Sequence, residues 1–365
     1  MERHARRIAR VQARLAALDV HALVVAPGAD LTYLTGYDAL ALERPTLLIV
    51  RADGPATIVA PLLERARVQG EVLLDDLAVV TYGEHDDALV LAADRIGGAS
   101  GSVVALGDTM WTSFTLGIQR ALPYHRWAVA SDIIGPERVV KDAEELVRLR
   151  AVAAAIDAVH RRVPEVLRAG RTEQAVAADL ATMIRDGHDE VSFVIVASGP
   201  NAASPHHEPG PRTIEEGDVV VVDIGGVLDG YCSDMTRMYA VGHAPPEFLA
   251  PYAVLERAQA AAVAAVRPGA TAGEVDAAAR DVLVEAGLGD AFVHRTGHGI
   301  GTQTHEEPWI LGGSTVALVP GMAFSVEPGF YLDGRFGARI EDIVVVTEEG
   351  VEVLNVVPRD LVVVR

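Results

Sequence analysis

The stretch from Gly217 to Tyr239, GDVVVVDIGGVLDGYCSDMTRMY, puts the strongest constraint on any fold this chain can adopt. The apolar run Val219 to Val222 reads as a strand ending on Asp223. Leu228-Asp229-Gly230 is a turn signal, and the return strand carries Asp234. Folded about its middle, the hairpin sets Asp223 and Asp234 opposite each other, with both side chains on one face. Like charges in that position repel unless a cation lies between them. A metal site is the expected resolution, and its other ligands must come from elsewhere in the chain.

Two further acids answer that need. Glu327 ends the apolar run Met322 to Val326 and is followed by Pro328-Gly329. Glu341 leads into the run Ile343 to Val346. Four carboxylates beside apolar strands cannot all stay ionised without partners. Arg339 cannot neutralise four charges, whereas two divalent cations can. Oxygen ligands suit Mn, Mg or Ca, and an imidazole shifts the preference toward Mn, Co, Fe or Zn. His298 offers that imidazole from HRTGHGIG, residues 294–301, where the glycines allow close backbone approach and an unusual turn. Carboxylates bridging two metals hold them roughly 3.5–4 Å apart and acidify a shared water, giving hydroxide near neutral pH that attacks a carbonyl or phosphoryl centre. His206, His207 and His305 lie in loop-like stretches and are candidates for holding substrate and a developing oxyanion.

Composition narrows the class. The chain has 365 residues, enough for one large domain or two ordinary ones, and half are hydrophobic. A formal charge of −20 excludes a basic face for nucleic acid or an anionic membrane. The single cysteine, Cys232, excludes an internal disulfide, fits a reducing compartment and reads as a small buried strand residue. The Arg-rich N-terminus lacks a signal-peptide apolar region, and Ile8, Val11 and Leu15 suit the first helix of a domain. The uncharged stretch from Pro308 to Val326 is broken by Gly312, Gly313, Pro320 and Gly321, so it reads as strand and loop. A cytoplasmic protein with no membrane or nucleic-acid partner is expected.

Along residues 1–135, helix-like and strand-like segments alternate, with strands near 22–26, 46–50, 56–60, 78–81 and 103–106. No Gly-rich phosphate loop follows a strand. Pro136 reads as a breaker, and a long helical run starts at Ala143, so a boundary is expected between 130 and 142, separating residues 1–135 from 136–365. The second part holds a weak internal repeat. Arg168-Ala169-Gly170-Arg171-Thr172 parallels Arg267-Pro268-Gly269-Ala270-Thr271, and Gly217 before one strand parallels Gly321 before another. Thr172 and Thr271 read as helix caps, the latter in a capping box with Glu274. On this alignment Asp223 matches Glu327, and Asp234 lies near the counterpart of Glu341.

With these residues in hand, the chain resembles the metallopeptidase family of prolidase and aminopeptidase P. The matching motifs are ASGPNAASPHH at 197–207, GDVVVVDIGG with SDMTR after it, HRTGHGIG at 294–301, THEEP at 304–308, SVEPGFY at 325–331 and ARIED at 338–342. ADLTYLTGYDA at 29–39 is similar, more weakly, to the family's N-terminal domain. The resemblance implies an α/β (α+β) fold: a creatinase-like N-terminal α/β domain, 1–135, followed by a pseudo-twofold pita-bread catalytic domain, 136–365. It implies Asp223, Asp234, His298, Glu327 and Glu341 as ligands of two divalent metal ions, Mn first, with Co or Zn as alternatives. Asp234 and Glu341 would bridge, Asp223 would serve one metal, and His298 with Glu327 the other. His206 and His305, ranked above His207, match substrate and transition-state histidines; Arg339 matches an orienting arginine, and Glu327 a proton shuttle. Gln303-Thr304 before His305 departs from the apolar residue often found there, which leaves the shape of that pocket wall open.

The implied activity is Xaa-Pro dipeptidase, a metallo-exopeptidase acting on short proline-containing peptides as a homodimer. The Xaa-Pro amide lacks an N–H, so a site that required that donor would reject it. Aminopeptidase P activity on longer peptides is the alternative, and a non-catalytic binding protein on the same fold is another. Compact length and the absence of large insertions favour the dipeptidase. The Tyr37-Asp38 region is a candidate for reaching the active site of a partner subunit.

Overall fold

The computed structural model describes residues 2–74 and 76–365, which form two compact units, Met1–Arg138 and Val139–Arg365.

The first unit is built on a six-stranded mixed sheet. Its strands are β1 (Ala22–Val25), β2 (Leu47–Arg51), β3 (Thr57–Pro61), β4 (Ala78–Tyr82), β5 (Val103–Leu106) and β6 (Arg126–Val129), in the order β4-β3-β2-β1-β5-β6. β1 runs parallel to β5 and antiparallel to β2. The helix Glu2–Ala17 buries Ile8, Val11 and Leu15 against one face, as its apolar spacing requires. Helices Ala88–Ile96 and Thr112–Ala121 cover the other.

Two features differ from what the sequence predicts. The edge strand β6 and the helices Ala29–Thr35 and Thr112–Ala121 carry weak patterns and were not resolved as elements. Pro136 does not break structure: it lies inside the helix Ser131–Val139. The carbonyl that loses its helical donor to proline is that of Asp132. It accepts instead from Arg14 Nε at 3.2 Å and Nη2 at 3.1 Å, which replaces the missing bond. Tyr37 is buried in this unit's core, and Asp38 alone of that pair is exposed.

The second unit is two copies of one plan. Helices Ala143–Val166 and Glu173–Arg185 pack on a sheet of β7 (Glu190–Ser198), β8 (Val219–Leu228), β9 (Tyr231–Cys232), β10 (Met235–Val241) and, late in the chain, Val362–Val364. Helices Pro246–Ala265 and Ala272–Glu285 pack on a second sheet of β11 (Gly297–Gly299), β12 (Glu306–Ile310), β13 (Ala323–Val326), β16 (Asp342–Val346) and β17 (Val351–Val353), while β14 (Gly329–Leu332) and β15 (Phe336–Arg339) form a separate two-stranded hairpin. The strand Val362–Val364 is β18 and pairs with β10.

The repeat extends to individual residues. Gly170 and Gly269 have φ of 84° and 82°, the left-handed conformation that turns the chain between one helix and the capped start of the next. Thr172 caps through Ala175 N–H, and Thr271 through Glu274 N–H in a complete capping box. Gly217 and Gly321, at φ 92° and 91°, make the same turn before β8 and β13. Asp234 immediately precedes β10, and Glu341 immediately precedes β16. No described helix is long and apolar enough to cross a membrane.

His160 ties the first helix of this unit to its sheet. Its ring is fully buried, with Nε2 3.0 Å from the Met235 carbonyl and Nδ1 3.2 Å from the Tyr239 hydroxyl. Burial, helped by the Arg237 charge, lowers its pKa from 6.5 to about 3. The folded state therefore holds His160 neutral, while the unfolded state gains a proton as pH falls through 6.5. His160 contributes stability above about pH 6.5 that is lost progressively toward pH 3, on the order of 4 kcal/mol across the window. His160→Gln, which cannot protonate, is expected to flatten the stability curve between pH 6 and 4 in urea unfolding; an unchanged slope would refute this.

Candidate metal centre

The turn Asp229-Gly230 closes the β8–β9 hairpin with φ of 51° and 76°, so both central residues are left-handed, the geometry a two-residue hairpin prefers. The register corrects one expectation. Asp223 is not opposite Asp234 but opposite Thr236, and β10 continues with Met235 opposite Ile224. Asp234 therefore sits two residues along, diagonal to Asp223 and on the same face. Gly225 makes this possible, because a Cβ there would lie 2.5 Å from the Ser233 carbonyl oxygen.

In the second half, His298 lies in the short strand β11, paired with β12 and β13. A Cβ on Gly297 would strike the Ser325 carbonyl, and one on Gly299 the Glu307 carbonyl. These glycines thus serve close strand approach, and neither makes the unusual turn expected from the sequence. His298 Nδ1 is 3.1 Å from the Gly299 carbonyl. That acceptor assigns the ring hydrogen to Nδ1 and leaves the Nε2 lone pair facing outward. Nε2 meets Glu327 Oε1 at 3.2 Å and Asp234 Oδ2 at 3.7 Å. A lone pair and two carboxylates converge on one point, an arrangement that calls for a cation.

The ligand atoms fall into three overlapping groups, each within 4.8 Å: Asp223, Asp234 and Glu341; His298, Glu327 and Glu341; Asp234, His298 and His305. Asp234 and Glu341 each belong to two. Asp223 Oδ2 accepts from Arg339 Nη2 at 2.5 Å, and Glu341 Oε2 accepts from the Thr236 hydroxyl at 2.8 Å. Their other oxygens, Asp223 Oδ1 and Glu341 Oε1, are buried and accept no hydrogen bond among the described residues. Buried carboxylate oxygens in that condition are costly, and metal coordination would satisfy them. Burial first, then neighbouring carboxylates, push Asp234 and Glu341 well above the usual carboxylate range. Asp223 is raised too, by burial, with Arg339 acting in opposition. Glu327 goes the other way: burial would raise it, but the cationic surroundings, Arg339 among them, hold it below the usual carboxylate range.

Around this group stand residues that the sequence reading left unassigned. Thr236 joins the halves, accepting from Arg339 Nε at 3.1 Å while donating to Glu341. The Tyr331 hydroxyl, 2.8 Å from Arg339 Nη1 and 2.9 Å from His294 Nε2, anchors the arginine on its far side. Glu173, buried at the start of its helix, accepts from Ser198 N–H and hydroxyl, Asn201, His207 Nε2 and Gly210 N–H. It thereby holds the loop that carries His206 to the cleft wall, and it gives His207 a structural partner. Lys141, the chain's only lysine, is buried and paired at 2.7 Å with Glu306, next to His305. The His305 ring lies 4.0 Å from that of His298, and loss of solvent on the side facing the cleft lowers its pKa. His206, His305 and the acids line one cleft of ≈ 1240 Å³. Cys232 is buried in β9, outside that lining.

Residues 147–348 match Metallopeptidase family M24, and residues 7–152 match the Creatinase/Prolidase N-terminal domain. The chain belongs to metallopeptidase family M24. It is 48% identical over 366 residues to the probable dipeptidase PepE of Mycobacterium bovis, covering 100% of this chain and 97% of that protein. It is 34% identical to the Xaa-Pro dipeptidase of Lactobacillus helveticus, covering 91% of each. The crystal structure of prolidase from Thermococcus sibiricus superposes with a TM-score of 0.94 at 36% identity, covering 99% of each chain. The architecture is that of an M24 peptidase: a creatinase-like α/β domain followed by a pita-bread catalytic domain.

Crowded buried acids make the metal-free protein self-repelling. Asp234→Asn and Glu341→Gln are each expected to raise the melting temperature of chelator-treated protein by a few degrees, from roughly 1–3 kcal/mol of relieved repulsion. The same substitutions should reduce the rise that added Mn²⁺ causes in the unsubstituted protein. Scanning calorimetry with and without metal checks both signs; a metal-free variant less stable than the parent would contradict the electrostatic account.

Proposed function

We propose that this M24 peptidase is an Xaa-Pro dipeptidase that uses two divalent metal ions. The observation that carries the reading is the overlap of ligand groups: Glu341 is shared between the Asp223–Asp234 set and the His298–Glu327 set, and Asp234 between the carboxylate set and a His298–His305 set. Asp223, Asp234 and Glu341 would hold one ion; His298, Glu327, Asp234 and Glu341 would hold the other. The donor set, four carboxylates and one imidazole, favours Mn, with Co or Zn as alternatives. Bound divalent metal supplies Lewis acidity that activates water at neutral pH and polarises the scissile carbonyl.

The remaining work falls to the chain. Arg339 locks one oxygen of Asp223, and Thr236 locks one oxygen of Glu341, so each carboxylate presents its other oxygen inward. Glu327, with the Ser325 hydroxyl donating to its Oε1 at 3.1 Å, is a carboxylate at the edge of the cleft able to accept a proton and return it to the leaving nitrogen. Neutral His305, beside His298, can donate to a developing oxyanion, and His206 on the opposite wall can orient the substrate. The peptide bond before proline suits a wall that presents apolar surface, here Phe193, Ile195 and Leu311. The single cysteine supports a cytoplasmic setting, and the family likeness supports a homodimer, which sedimentation of purified protein would test.

Asp234→Asn and Glu341→Gln are expected to lower kcat/KM on alanyl-proline by more than about 10³-fold, whereas Cys232→Ser stays within about twofold. Hydrolysis of alanyl-proline is expected to exceed that of alanyl-prolyl-alanine under Mn²⁺. Preference for the tripeptide would replace the dipeptidase reading with aminopeptidase P, and full activity in a bridging-ligand variant would refute the ligand set.

A further inference from the structure

His305 stands beside the ligand cluster with no bond of its own to hold it there. Its ring lies 4.0 Å from that of His298, and one of its nitrogens is within 4.8 Å of the Asp234 and His298 ligand atoms. Yet the ring makes no hydrogen bond among the described residues. The backbone around it is irregular. Residues 301–305 form a loop, and the β11–β12 register shifts: His298 pairs with Trp309, but Gly299 pairs with Glu306. Glu307 and Pro308 are therefore extra residues on one strand, and a ladder broken in this way does not by itself fix the side chains that precede it.

The anchor is the next residue. Exposure alternates along this stretch as in any extended chain: His305 is open, Glu306 buried, Glu307 exposed and Pro308 buried. Glu306 turned inward means His305 turned outward. The inward direction is set by Lys141, whose Nζ donates to Glu306 Oε1 at 2.7 Å and to the Val139 carbonyl at 3.3 Å. Both side chains of the pair are buried. A Cβ on Gly301 would lie 2.6 Å from the same Glu306 oxygen, so a glycine clears the space that the carboxylate fills. Lys141 is itself fixed to the frame. Its N–H donates to the Gly321 carbonyl at 2.9 Å, and Val140 bridges Met322, just before the strand β13 that leads to Glu327.

A buried ion pair is a weak source of stability, since an apolar pair of similar volume often does as well or better. What it supplies here is direction, because a buried carboxylate facing a single ammonium has one favourable orientation. The other half of the unit has a parallel arrangement with the charges exchanged. Buried Glu173 meets Nε2 of His207, the residue after His206, at 2.8 Å. Each histidine of the cleft wall is thus followed by a residue tied to a buried charged group.

We propose that Lys141 is a positioning residue for the hydrolytic step: through Glu306 it keeps His305 turned toward the ligand cluster, where the imidazole meets the developing oxyanion. This role rests on the peptidase reading and on the part His305 plays in it. Removing an oxyanion donor costs about 10²–10³-fold in kcat, and a displacement of ~1 Å can cost about 10²-fold, so loss of the anchor is expected to approach loss of His305 itself.

A double-mutant cycle on the Mn-loaded full chain tests this, with alanyl-proline as substrate, or alanyl-alanine if only that is cleaved. Lys141→Met keeps most of the stem and removes the charge. Lys141→Met/Glu306→Gln removes both charges, so no buried charge is left unpaired if the single variant fails to fold. The double variant is expected to bind as much Mn²⁺ as the parent and to lose about 30-fold in kcat with KM within about threefold. His305→Ala is expected to lose about 100-fold or more. In the His305→Ala background, removing the pair is expected to change kcat by less than about twofold, because Lys141 acts only through His305. A merely structural role would move stability or metal content, and its effect would multiply with that of His305→Ala. Parental kcat in the double variant, a further loss of similar size on top of His305→Ala, or failure of the double variant to fold would overturn the positioning role and leave the peptidase reading standing. Unchanged kcat in His305→Ala would overturn the part assigned to His305 and that of Lys141 with it. No cleavage of either peptide by the parent would overturn the peptidase reading and this role together.

Discussion

The second unit depends on mutual repulsion among carboxylates that its fold forces together. Asp223, Asp234 and Glu341 are all buried, with ligand atoms within 4.8 Å of each other, and Glu327 reaches the same point from the other side of His298. Three buried like charges in a medium of low dielectric oppose folding. Arg339 offsets one of them, and its guanidinium is itself held by Tyr331 and Thr236, so it cannot turn to serve the others. What remains is a deficit of positive charge at a fixed place. A bound cation would make up that deficit, and metal affinity would be the same free energy seen from the other side. One half of the repeat contributes Asp223 within β8 and Asp234 just before β10, the other Glu327 just after β13 and Glu341 just before β16, so neither half assembles the site alone.

Much of this was legible in the sequence, because the determinants are local. The Asp229-Gly230 turn, the valine run of β8, the paired Gly–Thr caps and the glycines before β8 and β13 are each decided within a few residues. So is the placement of Glu327 after β13 and of Glu341 before β16, where apolar runs stop; the strand expected to end on Asp223 instead continues through it to Leu228. The strand register was not local. Whether Asp234 faces Asp223 or lies diagonal to it depends on Gly225 letting the Ser233 carbonyl close in, a contact that hairpin spacing does not encode. The glycines around His298 were legible as permissive, yet what they permit is set by strands β12 and β13, which enter from later in the chain.

The residues that escaped the sequence reading share one property: their partners are far away. Glu173 at a helix start reads as an ordinary acidic first-turn residue, and only the fold shows it gathering donors from residues 198–210. Lys141 reads as a linker cation, but it is buried against Glu306, 165 positions later. Thr236 is one of many strand threonines until Arg339 and Glu341 arrive at its hydroxyl. All of them position groups that act. The N-terminal unit shows the same rule in a different setting, where Pro136 stays helical because Arg14, remote in sequence, takes up the carbonyl it frees.

The strand pairing that brings His298 to the acids also builds the wall beside it. Trp309 is the cross-strand neighbour of His298, and the Arg295 guanidinium stacks on its ring 4.1 Å from the centroid, so both side chains stand where the β11–β12 pair puts them. Gly297 and Gly299 admit no side chain against the Ser325 and Glu307 carbonyls, and the register shifts between His298 and Gly299. A Cβ at either glycine would push the strands apart and move His298 and that wall together, which ties the shape of the cleft to the same close approach that assembles the ligand cluster.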